Sequence, residues 1–374
     1  MFYYPKAKSR EPYREFLGPS FDKEPDIVYR SLIKPLLFTL DAERAHSFGE
    51  MAMRVPFLWS ASSLMSHATD PLLRTELAGL HLPNPLGMAA GFDKECRVIR
   101  PLLSMGFGFA TAGTVTLGPR PGNPPPRIIR QPERYAILNA LGFPGPGLDI
   151  AEQRLARMHK AHDRMFVSIS GTIEDEVIEV HRRLQQHGAA IELNISSPNT
   201  SGLRVFHEPG RLRGLIESLA RQKAVPLFVK LQPWAREDAA RREALRLAET
   251  AISAGADGLV VANTHPIEHE GLSIVHRGGL SGAPLTDHTA RMVAETKAAI
   301  GGDGEVIACG GIFTAEDVWQ MLSLGASAVQ LYTAFIYEGP GLPGRINRRL
   351  VRLMKKAGIT NIRDIQGKGP APEL

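Results

Sequence analysis

The sequence predicts a (β/α)8 TIM barrel with a small N-terminal helical extension. Eight short apolar segments recur between residues 84 and 333, and amphipathic segments such as 174–188 and 236–255 separate most of them. Nearly continuous apolar strands that alternate with helices are typical of a parallel sheet buried on both faces. A doubly wound sheet shares this alternation, but eight strands favour the barrel. The predicted strands are NPLGMAA (84–90), FGFATAGT (107–114), MFVSIS (165–170), AAIELNI (189–195), PLFVKL (226–231), DGLVVAN (257–263), EVIACGG (305–311) and SAVQLYT (327–333).

Three segments are predicted along the chain. Residues 1–26 are polar and contain four prolines, so we expect an extended or disordered leader. Residues 27–66 carry Ile, Leu, Phe, Met and Trp at helical spacing, which predicts a pair of amphipathic helices. Residues 67–374 would form the barrel. The chain length of 374 residues leaves room for an extension, because one barrel needs about 250.

The extension has two interpretations. Its helices are expected to break near Pro35 and Pro56, and Asp41 is placed to cap a helix that begins at Ala42. Such apolar helices either cover one end of the barrel as core or bury their apolar face shallowly in a lipid interface. On the second interpretation, basic side chains of the extension favour anionic lipid. These are Arg30, Lys34, Arg44 and Arg54.

Composition excludes several classes of protein. The net charge of +5 is mild and no Lys/Arg block with interleaved aromatic residues occurs, so nucleic acid is not an expected partner. Cys96 and Cys309 are far apart in sequence, which predicts no disulfide framework and no metal site. No dinucleotide or P-loop motif is present. No apolar run reaches the ~18 residues of a spanning helix, so we expect a cytoplasmic protein or one on a membrane face.

Chemistry in a barrel takes place where the strands end. The first predicted strand ends in Ala90 and Gly91, whose small size lets a flat ligand approach the backbone. Lys94 follows as a nearby cation, although an isolated lysine is more often a solvated surface group. The second strand ends at Thr114. The fifth contains Lys230, and an ammonium there is costly unless an anion or an electron-rich ring accompanies it.

The segment NISSPNT (194–200) after the fourth strand is the most informative one. Asparagine side chains both donate and accept hydrogen bonds, as is needed to read the edge of a heterocycle. The alternative is an Asx or ST turn stiffened by Pro198. Asn263 and Thr264 end the sixth strand in a similar way.

The last two strands predict a phosphate site. They end in Gly310-Gly311 and Tyr332-Thr333, and in barrels the loops after strands seven and eight commonly hold a phosphate with backbone N–H groups. The glycine-rich loop 278–282 adds a further place where a ligand can approach the backbone closely. Together these residues favour a planar cofactor that carries a phosphate, and a small polar heterocycle as substrate.

The ordered motifs resemble the dihydroorotate dehydrogenases over about residues 28–365. They are AAGFDK, GTVT, NISSPNTSGLR, ANT, GGLSG, CGGI and LYTAFIYEGP. A serine at 197 and the segment 40–46 are similar to the class 2, quinone-dependent members. The resemblance implies FMN as cofactor, dihydroorotate and orotate as substrate and product, quinone as final acceptor, and peripheral attachment at the cytoplasmic face of a membrane.

The resemblance also implies roles for individual residues. Ser197 would be the catalytic base. The positions that would hold the substrate are Lys94, Asn139, Ala140, Leu141, Gly142, Phe143, Asn194, Asn199, Asn263 and Thr264. Those that would hold FMN are Ala90, Gly91, Thr114, Ser168, Asn194, Lys230, Ala262, Gly282, Gly311, Tyr332 and Thr333. His46 and Arg127 would line the quinone tunnel.

Three places depart from the class 2 pattern. The loop 139–144 and the strand end at Ser168 are similar to class 1 instead, and Ala262 stands where class 2 members carry threonine. The departures leave open an FMN-dependent oxidoreductase that acts on another small substrate or acceptor. A non-catalytic protein that retains the barrel is a further alternative.

Overall fold

The computed structural model describes residues 26–55, 70–196, 202–235, 237–272 and 276–374. Its strands are β1 (Thr75–Leu77), β2 (Leu80–Leu82), β3 (Leu86–Asp93), β4 (Phe109–Val115), β5 (Ile128–Gln131), β6 (Ala136–Asn139), β7 (Met165–Ile169), β8 (Ala190–Asn194), β9 (Leu227–Lys230), β10 (Gly258–Val261), β11 (His265–Glu268), β12 (Arg277–Gly282), β13 (Glu305–Cys309) and β14 (Ala328–Leu331). Its α-helices are α1 (Lys34–Thr39), α2 (Ala42–Met53), α3 (Ile99–Ser104), α4 (Leu148–Ala156), α5 (Glu174–Leu184), α6 (Pro209–Ala220), α7 (Asp238–Ser253), α8 (Thr286–Ile300), α9 (Ala315–Ser323), α10 (Thr333–Glu338) and α11 (Leu342–Lys356).

Eight parallel strands close into a barrel in the order β3-β4-β7-β8-β9-β10-β13-β14. Each of the eight predicted apolar segments overlaps one of these strands, so the barrel prediction is confirmed and the doubly wound alternative is wrong. The central strands β4, β7, β8, β9, β10 and β14 are buried at every position. Burial on both faces is the reason that these segments are nearly continuous in apolar residues.

The amino-terminal end of the barrel is closed by apolar packing. Phe166 packs against Phe109 at a ring-centroid distance of 4.6 Å and stacks on Phe228 at 5.7 Å. Leu77 and Leu82 of the β1–β2 hairpin join the same buried cluster. This end is therefore filled, and the opposite, carboxyl end is the one available for a ligand.

The extension is helical, with one departure from prediction. The helix continues through Pro35 to Thr39, because a π-helical turn, Tyr29–Ile33, comes directly before it and accommodates a residue that lacks an N–H. The expected break at Pro35 was therefore wrong. Asp41 caps α2 as predicted, since its carboxylate accepts from the backbone N–H groups of Glu43 and Arg44. The leader to residue 25, Pro56 and the predicted boundary at 66 lie outside the described residues.

A small antiparallel sheet covers part of the carboxyl end of the barrel. Its order is β11-β12-β6-β5, built from the insertions after β4 and β10. Ser281 pairs with Ile137 across the middle of this sheet. Helix α2 packs on β5, so the sheet forms one of the contacts between the extension and the barrel. No helix of the described ranges is both long and apolar enough to cross a membrane.

Candidate active site

A cavity of about 800 Å³ joins the carboxyl end of the barrel to the extension. One end is lined by Asn194, which is 5% exposed, and the other by Leu32 and Leu36, which are each 69% exposed. The barrel end is rich in amides and hydroxyls, whereas the extension contributes Leu, Ile, Phe and Met side chains. The cavity therefore changes from polar to apolar as it runs outward.

Most of the predicted site residues meet in this cavity. Those that line it are His46, Ala90, Gly91, Lys94, Thr114, Asn139, Leu141, Gly142, Phe143, Asn194, Asn263, Thr264 and Tyr332. Predicted residues that lie around or beneath the described lining are Arg127, Ala140, Ser168, Lys230, Ala262, Gly282, Gly311 and Thr333. Ser197 and Asn199 lie outside the described residues.

A hydrogen-bonded network holds the amides at the barrel end. Asn194 Oδ1 accepts from the hydroxyl of Ser196 at 2.7 Å, and Asn194 Nδ2 donates to Thr114 Oγ1 at 3.3 Å. Asn263 Nδ2 donates to Ser196 Oγ at 2.9 Å. Thr114 in turn is 3.0 Å from the hydroxyl of Ser168. The ends of β4, β7, β8 and β10 are thereby fixed relative to one another.

Lys94 stands where the barrel meets the extension. Its ammonium donates to Gly91 O at 2.9 Å and to His46 Nε2 at 3.3 Å. Burial lowers the pKa of Lys94 to about 8, although Glu50 and Asp93 oppose this shift. Burial and the charge of Lys94 lower the pKa of His46 to about 3, so the imidazole is neutral and accepts the bond. At neutral pH Lys94 therefore presents a cation to the cavity.

Lys230 lies beneath the cavity in a buried ion pair. Its Nζ is 3.6 Å from Glu192 Oε1, and the carboxylate is fully buried. Gln330 Nε2 donates to the other oxygen of Glu192 at 3.1 Å. Burial opposes the charge of Lys230, but Cys309 and Glu192 outweigh it and raise the pKa of this ammonium. The predicted need for an anionic partner is thus met within the barrel itself.

Removing this ammonium should destabilise the fold strongly. In Lys230→Met, Glu192 becomes an uncompensated buried charge, and we expect the free energy of unfolding in urea to fall by about 3–5 kcal/mol. The control is Lys223→Met in the half-exposed pair with Asp257, which should cost about 1 kcal/mol or less. Equal losses in the two variants would contradict this account.

The outer part of the cavity is organised by Arg130. Its guanidinium donates to the carbonyl oxygens of Leu37 and Leu40 and stacks over the ring of Phe38 at 4.5 Å. Arg127, the predicted tunnel residue, instead pairs with Glu43 at 2.8 Å and stays outside the described lining.

Sequence reasoning missed Ser196, Arg130 and Ser281. Ser196 lies in the segment 194–200, which the sequence analysis singled out, but a functional role was predicted only for its neighbour Ser197. Ile128 and Arg130 both line the cavity, and residues two apart share one face of a strand. Arg127, three residues before Arg130, falls on the other face. This alternation is the signal in the sequence that distinguishes Arg130 from Arg127.

Comparison with known proteins agrees with this geometry. The model of the family described as dihydroorotate dehydrogenase matches residues 72–354. The chain belongs to the dihydroorotate dehydrogenase family. The match covers the barrel and its small antiparallel sheet.

Curated members of the family align over almost their whole length. A dihydroorotate dehydrogenase (quinone) of Erythrobacter litoralis is 35% identical over 348 residues, which is 90% of this chain and 98% of the relative. One of Sphingopyxis alaskensis is 37% identical, over 92% of this chain and 98% of the relative. The crystal structure of the Eimeria tenella enzyme in complex with ferulenol superposes with a TM-score of 0.78 at 32% identity, over 89% of this chain and 98% of that one. The curated relatives are thus quinone-dependent, class 2 members of the family.

Proposed function

We propose that this chain oxidises dihydroorotate to orotate, with FMN as hydride acceptor and a quinone as final electron acceptor, at the cytoplasmic face of a membrane. The observation that carries the proposal is that one continuous cavity connects the buried amides and Lys94 to an apolar mouth in the extension. A polar substrate and a lipophilic acceptor need such different surroundings, and both must reach one cofactor.

The residues present fit a flavin mononucleotide. Gly91 has a φ of +92°, and a Cβ built on it would meet no described atom within 4 Å, so its backbone faces open space in the cavity. Thr114, Asn194 and Ser281 supply hydrogen-bonding groups along the lining, and Thr333 Oγ1 donates to Ser281 Oγ at 2.8 Å. Bound FMN supplies hydride acceptance. Ala90, Gly91, Thr114 and Tyr332 would line its ring, while Gly282, Gly311 and Thr333 would hold its phosphate end.

The chain's own residues would bind substrate and move a proton. Lys94 would bind the carboxylate of dihydroorotate and, with the asparagine amides, stabilise the negative charge that develops on the ring carbonyl. Ser197 would remove a proton from the carbon next to that carbonyl. A neutral serine is a weak base, so it needs a relay through a hydroxyl or water.

The purified protein should be yellow and should release FMN on denaturation. This follows from the size of the cavity and from the absence of a dinucleotide motif in the sequence. Chromatography of the supernatant identifies the flavin. Release of FAD, or of no flavin at all, would overturn the cofactor assignment. Bleaching of the bound flavin on anaerobic mixing with dihydroorotate then tests the substrate.

Orotate binding should depend on pH through Lys94. Because the pKa of Lys94 is about 8, the ammonium is present below pH 8 and is lost above it. The affinity for orotate should be flat between about pH 6 and 7 and fall by about tenfold per pH unit well above 8. In Lys94→Arg the charge persists, so binding should be weaker but independent of pH. A wild-type affinity that does not change up to pH 9.5 would rule out Lys94 as the anion-binding group.

The loop 139–144 supports a second candidate, an FMN oxidoreductase of another small substrate. Ala140 lies outside the described lining, but Pro144 faces the cavity where class 2 members carry asparagine. Orotate binding without flavin reduction by dihydroorotate would favour this candidate.

A further inference from the structure

Ser196 lies between Asn194 and Asn263, two of the asparagines that line the cavity. Its hydroxyl donates to Asn194 Oδ1 at 2.7 Å and accepts from Asn263 Nδ2 at 2.9 Å. The residue is 1% exposed, so solvent does not compete for these bonds. We infer that Ser196 is a positioning residue that locks both amides into one polarity and one relative geometry. The identity of the substrate that they would read rests on the proposed function.

Backbone N–H groups fix the polarity of this network from both ends. The N–H of Ser196 donates to Asn194 at 3.2 Å, and the N–H of Thr264 donates to Asn263 at 2.7 Å. Since a backbone N–H can only donate, the atom it meets in each amide is the oxygen. Ser196 Oγ must then donate to Asn194 Oδ1, and it is left to accept from Asn263 Nδ2. The donor and acceptor assignments of these hydrogen bonds are therefore consistent with one another.

The network determines which amide groups remain for a ligand. Asn194 Oδ1 is used by two donors from Ser196, and one of the Asn194 N–H groups is used by Thr114. Among contacts of the described residues, one N–H on each amide and one lone pair of Asn263 Oδ1 remain. Two donors and one acceptor match the two carbonyl oxygens and the N–H of a cyclic imide, as in the ring of dihydroorotate. Ser196 thereby helps to determine specificity without touching the substrate.

Ser170 is a matched control for this role. It is also 1% exposed, and its hydroxyl donates to the same asparagine, but to the backbone carbonyl oxygen of Asn194 at 2.7 Å. Ser170→Ala removes the same atom and one buried hydrogen bond, yet it leaves both side-chain amides in their network. A purely structural effect of losing a buried hydroxyl should therefore appear in both alanine variants, although Ser196 loses two hydrogen bonds and Ser170 one.

Orotate binding to the purified holoenzyme tests the proposal. We expect Ser196→Ala to retain FMN and to bind orotate about tenfold more weakly, the effect of about one hydrogen bond. Ser170→Ala should stay within about twofold of wild type, and Ser196→Thr, which keeps the hydroxyl, should regain most of the affinity. Equal effects of the two alanine variants, or no effect of Ser196→Ala on a wild type that binds orotate, would overturn the proposal.

A second measurement needs no ligand. With isotopic nitrogen incorporated only in asparagine, the side-chain amide signals of Asn194 and Asn263 can be assigned from their loss in the single alanine variants. Ser196→Ala should shift both pairs of signals, whereas Ser170→Ala should leave the pair from Asn263 in place. Unchanged Asn263 signals in Ser196→Ala would overturn the inference even if the wild type does not bind orotate. Absence of orotate binding by the wild type would instead count against the proposed function.

Discussion

Replacing Ser197 with alanine is expected to slow reduction of the flavin by dihydroorotate by about 10²–10⁴-fold, the range that a general base contributes. FMN should remain bound, because most of the residues proposed to hold it lie at the ends of strands other than β8. Orotate should also bind with nearly unchanged affinity, since a base acts on the transition state and contributes little to ground-state binding. The measurement is stopped-flow bleaching of the flavin at saturating dihydroorotate.

Two variants make the Ser197 result specific. Ser197→Cys should retain part of the rate, because a thiol can also accept the proton. Ser104→Ala removes a hydroxyl that bonds only locally, to Pro101 O at 2.7 Å, and should react at the wild-type rate. A wild-type rate of bleaching in Ser197→Ala would exclude this residue as the base and would direct attention to other hydroxyls of the site.

The barrel was predictable because its signals are local. Most barrel strands are buried on both faces and so appear as short apolar runs, while the helices between them have one apolar and one polar side. The cap at Asp41 depends on contacts within three residues, and it is present as predicted. The break expected at Pro35 was wrong, because the preceding π-helical turn removes the conflict that a proline usually creates.

Contacts between segments that are far apart in the sequence could not be predicted from the sequence alone. Arg30 was expected to favour anionic lipid, yet it pairs with Glu338 at 3.0 Å, a residue 308 positions away. Arg130 lines the cavity, whereas Arg127 lies outside the described lining. Which of the two arginines faces the cavity depends on how β5 packs against helix α2. The same limit applies to Ser196, whose role becomes visible only when β8 and β10 place Asn194 and Asn263 on either side of it.

The extension joins the barrel firmly but leaves an apolar face exposed. Tyr29 donates to Ile336 O at 2.7 Å, and Phe38 packs edge-on against Tyr337. Even so, nine of the fourteen exposed large apolar side chains in the described ranges belong to residues 26–55. A face this apolar would cover the mouth of the cavity with lipid if it docked on a membrane. Four of the nine side chains line the cavity, namely Leu32, Ile33, Leu36 and Phe48. This concentration at the mouth favours the membrane interpretation over simple coverage of the barrel.

Exchanging two of these side chains for acidic ones should separate membrane use from chemistry. Leu32 and Leu36 are each 69% exposed and line the mouth of the cavity. Losing the burial of two leucines costs about 3 kcal/mol, so the double variant Leu32→Glu/Leu36→Glu should bind anionic vesicles about a hundredfold more weakly. Turnover with a long-chain quinone in vesicles should fall in parallel. Flavin bleaching by dihydroorotate, and turnover with a water-soluble acceptor, should stay near wild type.

The matched control places the same change outside the extension, at two residues that are not in the cavity lining. Ile150 and Ile173 are 44% and 57% exposed, so Ile150→Glu/Ile173→Glu adds the same charge and removes comparable apolar surface. This variant should bind vesicles as the wild type does, apart from a small loss from its added negative charge. Equal losses in both double variants would show that net charge alone governs binding. Vesicle binding and quinone reduction at wild-type levels in Leu32→Glu/Leu36→Glu would remove the extension as the docking face, and a soluble electron acceptor would then explain the cavity better.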